Sequence, residues 1–323
     1  MNTASATSAN TAATLVLHID GIGFWAPPLP GWAHAQAALR GERAQVAVAG
    51  ITDTPQRPSP TLLAANERRR APDSVLLALQ VAHEAVTDSG HDAHDLASIF
   101  TSAYGDLPIV DALCRTLASD PLLLSPTRFH HSVHNAASGY WAIASGSRAA
   151  SSAVAGGARS FACGLLEAAA TAAADDTGVL LVGFDTEARG PLASVNASRG
   201  LLGVALVLAP AQGPRSRWRV SVDCVGAGGA HAAGPAHAHA LALALAPAPA
   251  PAPANQDHAT AVHSAWQALK ANAQADALPL MQALANGKPQ QLWLALSDGL
   301  QLRLQLEPID AAEAAGPSGM MNL

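Results

Sequence analysis

Ser151-Ser152-Ala153-Val154-Ala155-Gly156-Gly157-Ala158-Arg159-Ser160-Phe161-Ala162-Cys163-Gly164 is the stretch that carries the fold. Ser151 to Ala155 is short and strand-like, the glycine pair breaks it, and the small-residue run Ser160 to Ala174 reads as a helix. The next run, Gly178 to Phe184, is apolar throughout and predicts a strand buried on both faces. Strand, glycine turn, helix and buried strand is the alternation of a layered α/β protein. The same alternation extends upstream. Asp73 to Ser89 predicts a helix: Pro72 sets its entry, Asp73 or Ser74 can cap it, Val75, Leu79, Ala82 and Val86 recur at helical spacing, and Gly90 ends it. Ser98 to Tyr104 reads as a strand, Leu107 to Ala118 as a helix, and Ala136 to Ser147 as a helix carrying Tyr140 and Trp141. At the start, Thr14 to Ile19 predicts a strand that stops in a turn at Asp20-Gly21-Ile22-Gly23, followed by a proline-rich loop and a short helix from Trp32 to Leu39. Leu201 to Leu208 and Trp218 to Val225 complete the strands of this part.

The organisation follows from composition shifts. Residues 1–13 are Ser, Thr, Ala and Asn without a positive region or a leucine-rich run, and read as a disordered lead-in rather than a signal peptide. Residues 14–226 form the layered domain. Residues 227–258 are almost entirely Gly, Ala, His, Leu and Pro and read as a linker. Residues 259–323 form a short segment with helices around Ala261 to Ala271 and Leu278 to Ala285. It also holds a hairpin whose arms, Gln291 to Leu296 and Leu300 to Leu306, flank Ser297-Asp298-Gly299.

Composition excludes several functions. The 323 residues are 50% hydrophobic but only 4% aromatic, so the core is built from small side chains suited to close helix–sheet packing. With 18 Lys+Arg against 24 Asp+Glu and a net charge of −6, no basic face for nucleic acid is promised. Cys114, Cys163 and Cys224 form neither a CxxC pair nor an even framework, which fits a reducing cytoplasm. The weakly polar run Leu241 to Ala254 has proline at alternate positions from Pro247 to Pro253 and is too short to span a membrane. His231, His237 and His239 lie in alanine and proline repeats without Cys, Asp or Glu support, so no metal and no cofactor is expected.

From Ser125 to Asp185 the chain presents Ser125-Pro126-Thr127-Arg128-Phe129, then His134-Asn135-Ala136-Ala137-Ser138-Gly139, then the Gly156-Gly157-Ala158 turn, its helix, and the strand ending at Gly183. Arg68-Arg69-Arg70 precedes this run, and Ser198-Arg199-Gly200-Leu201-Leu202-Gly203-Val204-Ala205 follows it. This order resembles the N-terminal half of β-ketoacyl synthases, which have the thiolase fold, over about residues 14 to 226. Asp20-Gly21-Ile22-Gly23-Phe24-Trp25-Ala26-Pro27 and Phe129-His130-His131-Ser132-Val133-His134-Asn135 are similar, more narrowly, to the chain-length-factor-like homologues of aryl polyene pigment pathways. The resemblance implies an α/β, thiolase-like layered fold with a complete N-terminal half and a shortened C-terminal half.

The same resemblance implies a loss of chemistry. A condensing enzyme needs a thiol at the strand-to-helix turn, where helix N–H groups lower its pKa and hold the thioester oxyanion. Here that position falls on Ala158, and the family's two C-terminal histidines have no counterpart in their glycine- and threonine-bearing turns. The implied role is a non-catalytic subunit that pairs with a ketosynthase and shapes the tunnel in which an acyl chain grows on acyl carrier protein. Phe129, His134, Asn135, Tyr140 and Trp141 are candidates for the tunnel or interface, although each also reads as a packing or capping residue. Ser151 and Val154 belong to a strand expected to pair across a subunit boundary. Arg68, Arg69 and Arg70 either receive an acidic carrier protein or form a solvated helix entrance. Two alternatives stand beside this reading. One is an acyltransferase or hydrolase with Ser160 or Cys163 as nucleophile and His131 or His134 as base; the other is a homodimeric binder of an apolar ligand.

Overall fold

The computed structural model describes residues 14–27, 29–40, 56–226 and 258–309. Its elements, in chain order, are β1 (Leu15–Ala26), β2 (Leu29–Pro30), α1 (Trp32–Leu39), α2 (Ala65–Arg70), α3 (Asp73–Ser89), β3 (Ala97–Thr101), α4 (Leu107–Ser119), α5 (Pro126–His131), α6 (Ala136–Ser145) and β4 (Ser151–Val154). They continue with α7 (Ser160–Asp175), β5 (Val179–Asp185), β6 (Leu202–Ala209), β7 (Trp218–Gly226), α8 (His258–Leu269), α9 (Leu278–Asn286), β8 (Gln290–Ala295) and β9 (Leu300–Pro308). The expected lead-in 1–13, most of the linker 227–258, and His231, His237 and His239 lie outside the described residues.

Among the described residues the strands form one sheet in the order β4-β3-β5-β6-β1-β7-β9-β8, with β2 folded back onto the end of β1. β3 runs parallel to both β4 and β5, whereas β6 is antiparallel to its neighbours β5 and β1. Every residue of β5 is buried, as its unbroken apolar run predicts. Helices cover both faces. One layer is α3 with α6, burying Val75, Leu79, Trp141, Val182 and Ala205. The other is α7 with α1, α8 and α9, burying Phe161, Leu165, Ala169, Trp266 and Met281. The C-terminal hairpin extends this sheet: β9 pairs along the whole of β7, and β8 along β9. No helix among the described residues is long and apolar enough to cross a membrane.

Two sequence expectations are corrected by this packing. The first strand does not stop at Asp20-Gly21-Ile22-Gly23 but runs on to Ala26, with a bulge between Ile19 and Gly21. The glycines serve close approach instead of a turn: a Cβ on Gly21 would collide with the Ala85 carbonyl oxygen of α3, and one on Gly23 with that of Val81. β1 also outruns β7, whose pairing ends at Ile19 and Trp218. The N–H groups of Ile22 and Phe24, whose residues have β6 on one side and, among the described residues, no strand on the other, donate to Asp88 and Glu84 of α3 at 2.9 and 3.0 Å. The second correction concerns the α3 cap. Neither Asp73 nor Ser74 caps the helix: Arg57 binds the Asp73 carboxylate at 2.6 Å, and the Ser74 hydroxyl donates to Asp106 at 2.7 Å.

Candidate functional site

The C-terminal ends of β4, β3 and β5 meet the start of α7. From β4 the chain enters Gly156 and a single 3-10 turn, Gly157–Arg159, with Gly157 at φ 58°, before Ser160 opens α7. Ala158 is exposed on this turn. The fully buried Ser160 hydroxyl donates to the Gly157 carbonyl at 2.7 Å and accepts the Gly156 N–H at 3.0 Å. Both of its bonds are therefore made inside the turn, and neither goes to an imidazole. Cys163, one turn further along, packs its sulfur against Gly156, where an added Cβ would lie 2.7 Å from Sγ. Burial pushes its thiol pKa up and the Asp276 carboxyl adds to the rise, while Arg159 pulls it back. A thiol so placed is a poor nucleophile.

The two candidate bases are engaged elsewhere. His131 is buried and shares a 2.8 Å hydrogen bond with the Tyr140 hydroxyl; burial, and next His130, lower its pKa against the opposing pull of Asp106. His134 donates through Nε2 to the Ser102 carbonyl at 2.9 Å, tying the loop before α6 to the end of β3. Asn135 occupies the N-cap position of α6, but its side chain makes no capping bond. Trp141 is 2% exposed in the α3–α6 core, whereas Phe129 is 64% exposed, so the structure separates these two aromatics. Ser151 accepts the Ser98 hydroxyl at 3.0 Å, and Val154 packs partly against the α7-side core. In α2, Arg68 reaches the Pro60 carbonyl at 3.2 Å, while Arg69 and Arg70 are exposed. Among the described residues no group of three or more His, Cys, Asp or Glu is placed to hold a metal ion.

Behind the turn lies a buried polar cluster not foreseen in the sequence. Asp185, at the end of β5, accepts the Ser102 hydroxyl at 2.7 Å and the N–H groups of Ala103 and Tyr104 at 2.9 and 3.3 Å. Burial nevertheless pushes its pKa up to about 7. The stretch Asn272 to Asp276, between α8 and α9, packs onto this point. The Asn272 amide donates to the Asp185, Arg199 and Gly200 carbonyls. Asp276 accepts the Ala162 N–H of α7 at 3.1 Å, and its pKa is pushed up to about 8 by burial. The hairpin tip arrives here too, as Asp298 pairs with Arg159 at 2.6 Å. A signal existed in the sequence: Asn272, Gln274 and Asp276 are alternate polar residues in an alanine-rich run, an unusual pattern for a surface turn.

Comparison with known proteins agrees with this geometry. Residues 42–229, more than half of the chain, match the family pattern described as beta-ketoacyl synthase, N-terminal domain. The chain belongs to the beta-ketoacyl synthase family. No curated protein matches it. Among solved structures it is similar to a chain of the ketosynthase ApeO in complex with its chain length factor ApeC from Xenorhabdus doucetiae. That match has 21% identity and a TM-score of 0.61, covering 90% of this chain and 99% of that one. It is also similar to the ishigamide ketosynthase/chain length factor, with 16% identity and a TM-score of 0.64 over 91% and 100% of the two chains. A third likeness is to the AntDE:AntF complex of a type II polyketide synthase acyl-carrier protein with its ketosynthase, with 11% identity and a TM-score of 0.63 over 92% and 100%. At these identities the likeness is one of fold: a thiolase-like layered α/β protein whose second half is shortened to two helices and a hairpin among the described residues.

Proposed function

We propose that the chain is a non-condensing, chain-length-factor-like subunit that pairs with a ketosynthase and shapes its acyl tunnel during chain elongation on acyl carrier protein, in an aryl polyene type of pathway. The observation that carries this reading is the turn at the head of α7. It offers the methyl group of Ala158 where the family resemblance puts a thiol, and the nearest hydroxyl, on Ser160, has both hydrogen bonds closed within the turn. With Cys163 held as a thiol and His131 and His134 committed to Tyr140 and Ser102, the acyltransferase alternative lacks an activated nucleophile.

The surface supports a pairing role. β4 ends the sheet, and Ser151, Ser152 and Ala153 are exposed. Ile143, on α6 beside β4, is 84% exposed, and Leu122, Leu123 and Phe129, between α4 and α6 in the chain, are 93%, 72% and 64% exposed, far more apolar surface than an isolated subunit gains from leaving in water. Pairing of β4 with a ketosynthase strand would cover Ile143, with Phe129 the exposed aromatic offered to the growing chain and the exposed Arg69 and Arg70 offered to an acidic carrier. The test is co-expression with a ketosynthase, followed by incubation with an acyl carrier thioester and intact-mass measurement of both chains. A stable one-to-one complex with the acyl group on the ketosynthase alone is expected. An acyl adduct on this chain, or a homodimer indifferent to the ketosynthase, overturns the reading.

A further inference from the structure

The N-terminal end of α7 is occupied by a residue from the other end of the chain. In a helix the first N–H groups have no internal partner and are satisfied by an acceptor from outside. α7 has no side-chain cap of its own: its N-cap residue is Arg159, whose side chain carries no acceptor, and Ser160 keeps its hydroxyl on Gly157 and Gly156. Asp276 supplies the acceptor instead: Oδ2 takes the Ala162 N–H at 3.1 Å. It is delivered by the single 3-10 turn Ala275–Ala277, which packs against both the Gly157–Arg159 turn and α7.

A second observation marks the spot as more than a cap. The other Asp276 oxygen, Oδ1, is out of solvent and without a hydrogen-bond partner. So are both polar atoms of Gln274, a residue with no exposed surface. The Gln274 amide lies over Gly183, beside the ring of Phe161, the second residue of α7. Buried amides and carboxyls are almost always hydrogen-bonded, so three such atoms left open at one helix mouth describe a binding point only partly filled by its occupant.

We infer that Asp276 is a built-in occupant of the α7 mouth, a side chain standing where the oxygen of a small carboxyl or acyl ligand would otherwise sit, so that removing its carboxyl opens a site for such a ligand. The inference deepens the non-condensing reading and rests on it: the chain lacks the thiol, and the helix donors that would polarise an acyl oxygen are taken as well. Restoring sulfur at residue 158 alone would leave them taken.

The experiment is thermal unfolding of the full chain carrying Asp276→Ala, in acetate at about pH 5, where the probe is present as both acid and anion and Asp185 holds its proton. The control is sodium chloride of equal ionic strength in a buffer without carboxyl groups. Acetate is expected to raise the melting temperature of Asp276→Ala saturably, by about 3 °C or more at roughly ten times its Kd. It should leave the wild type and Asp276→Asn, which keeps an accepting oxygen, unmoved. If Asp276→Ala is unfolded in chloride, a cooperative transition regained in acetate supports the proposal, and an unfolded chain in both overturns it. An acetate response no larger than that of the wild type also overturns it. Ketosynthase pairing reports on the subunit role separately, since an intact complex with no acetate effect removes the occupant alone.

Discussion

Gly21 and Gly23 set how near α3 lies to the sheet. At both positions an added methyl would strike a backbone carbonyl of α3, which cannot swing aside as a flexible side chain would. Gly23→Ala is therefore expected to cost about 2 to 4 kcal/mol in urea unfolding; a change below 0.5 or so would mean the helix rides easily off the strand. Buried acids give a second prediction at this scale. Asp185 and Asp276 are raised from 3.8 to about 7 and about 8, with burial the main cause in each and their mutual repulsion adding to Asp276. Among their neighbours, the Cys163 thiol is itself pushed up and Arg159 counters that rise. A carboxyl that holds its proton more tightly when folded stabilises fully below its unfolded value, and that stability is lost as pH climbs through the folded one. Stability should thus fall between about pH 4 and about pH 8, on the order of a kcal/mol per pH unit per group. Asp276→Asn should flatten the slope, and an unchanged slope in denaturant titrations would count against the assignment. These residues also mark what the sequence conceals. A glycine pair in a strand reads as a turn because its real reason, a helix 60 residues away in the chain, is tertiary. The meeting of Asp276 with Ala162 is tertiary in the same way.

At the scale of elements, legibility follows local signals. The Asp73–Ser89 helix has the bounds its periodicity and Gly90 predict, with Gly90 in the left-handed region at φ 71°. Short α2 and α5, each six residues, lack the length for a periodic pattern and are not legible. The family resemblance could locate the β4–α7 junction because its glycines and strand lie together in sequence, whereas the acceptor at α7 comes from a separate segment. β4 yields a prediction of its own. The Ser98 N–H donates to the Ala150 carbonyl and the Ser102 N–H to that of Val154, so the intervening Ser151 and Ala153 direct their backbone groups away from β3. Ala153→Pro removes an outward N–H without breaking the inner ladder. It should weaken ketosynthase pairing roughly tenfold or more while shifting the melting temperature of the chain alone by no more than about 2 °C. Sedimentation of the mixed chains and calorimetry of the single one distinguish loss of pairing from loss of fold.

For the molecule as a whole, charge and edges set what it meets. A chain of net charge −6 that exposes Arg69 and Arg70 at the end of one short helix has a local field opposite to its overall one. Reversing both, Arg69→Glu with Arg70→Glu, should slow association of the acyl carrier protein with the paired subunits about tenfold at low salt and little at high salt. Stopped-flow rates that ignore the reversal would move the docking point elsewhere.

The sheet's two margins differ. Among the described residues β4 has no strand on its outer side and lies beside α6 with its exposed Ile143, whereas β8, at the far margin, is led in by exposed Lys288 and Pro289 and begins with two exposed glutamines. A plate with one adhesive rim and one guarded rim can be joined once and no further. On the proposed pairing, union along β4 would close the assembly at two chains, because the opposite margin offers no second adhesive rim.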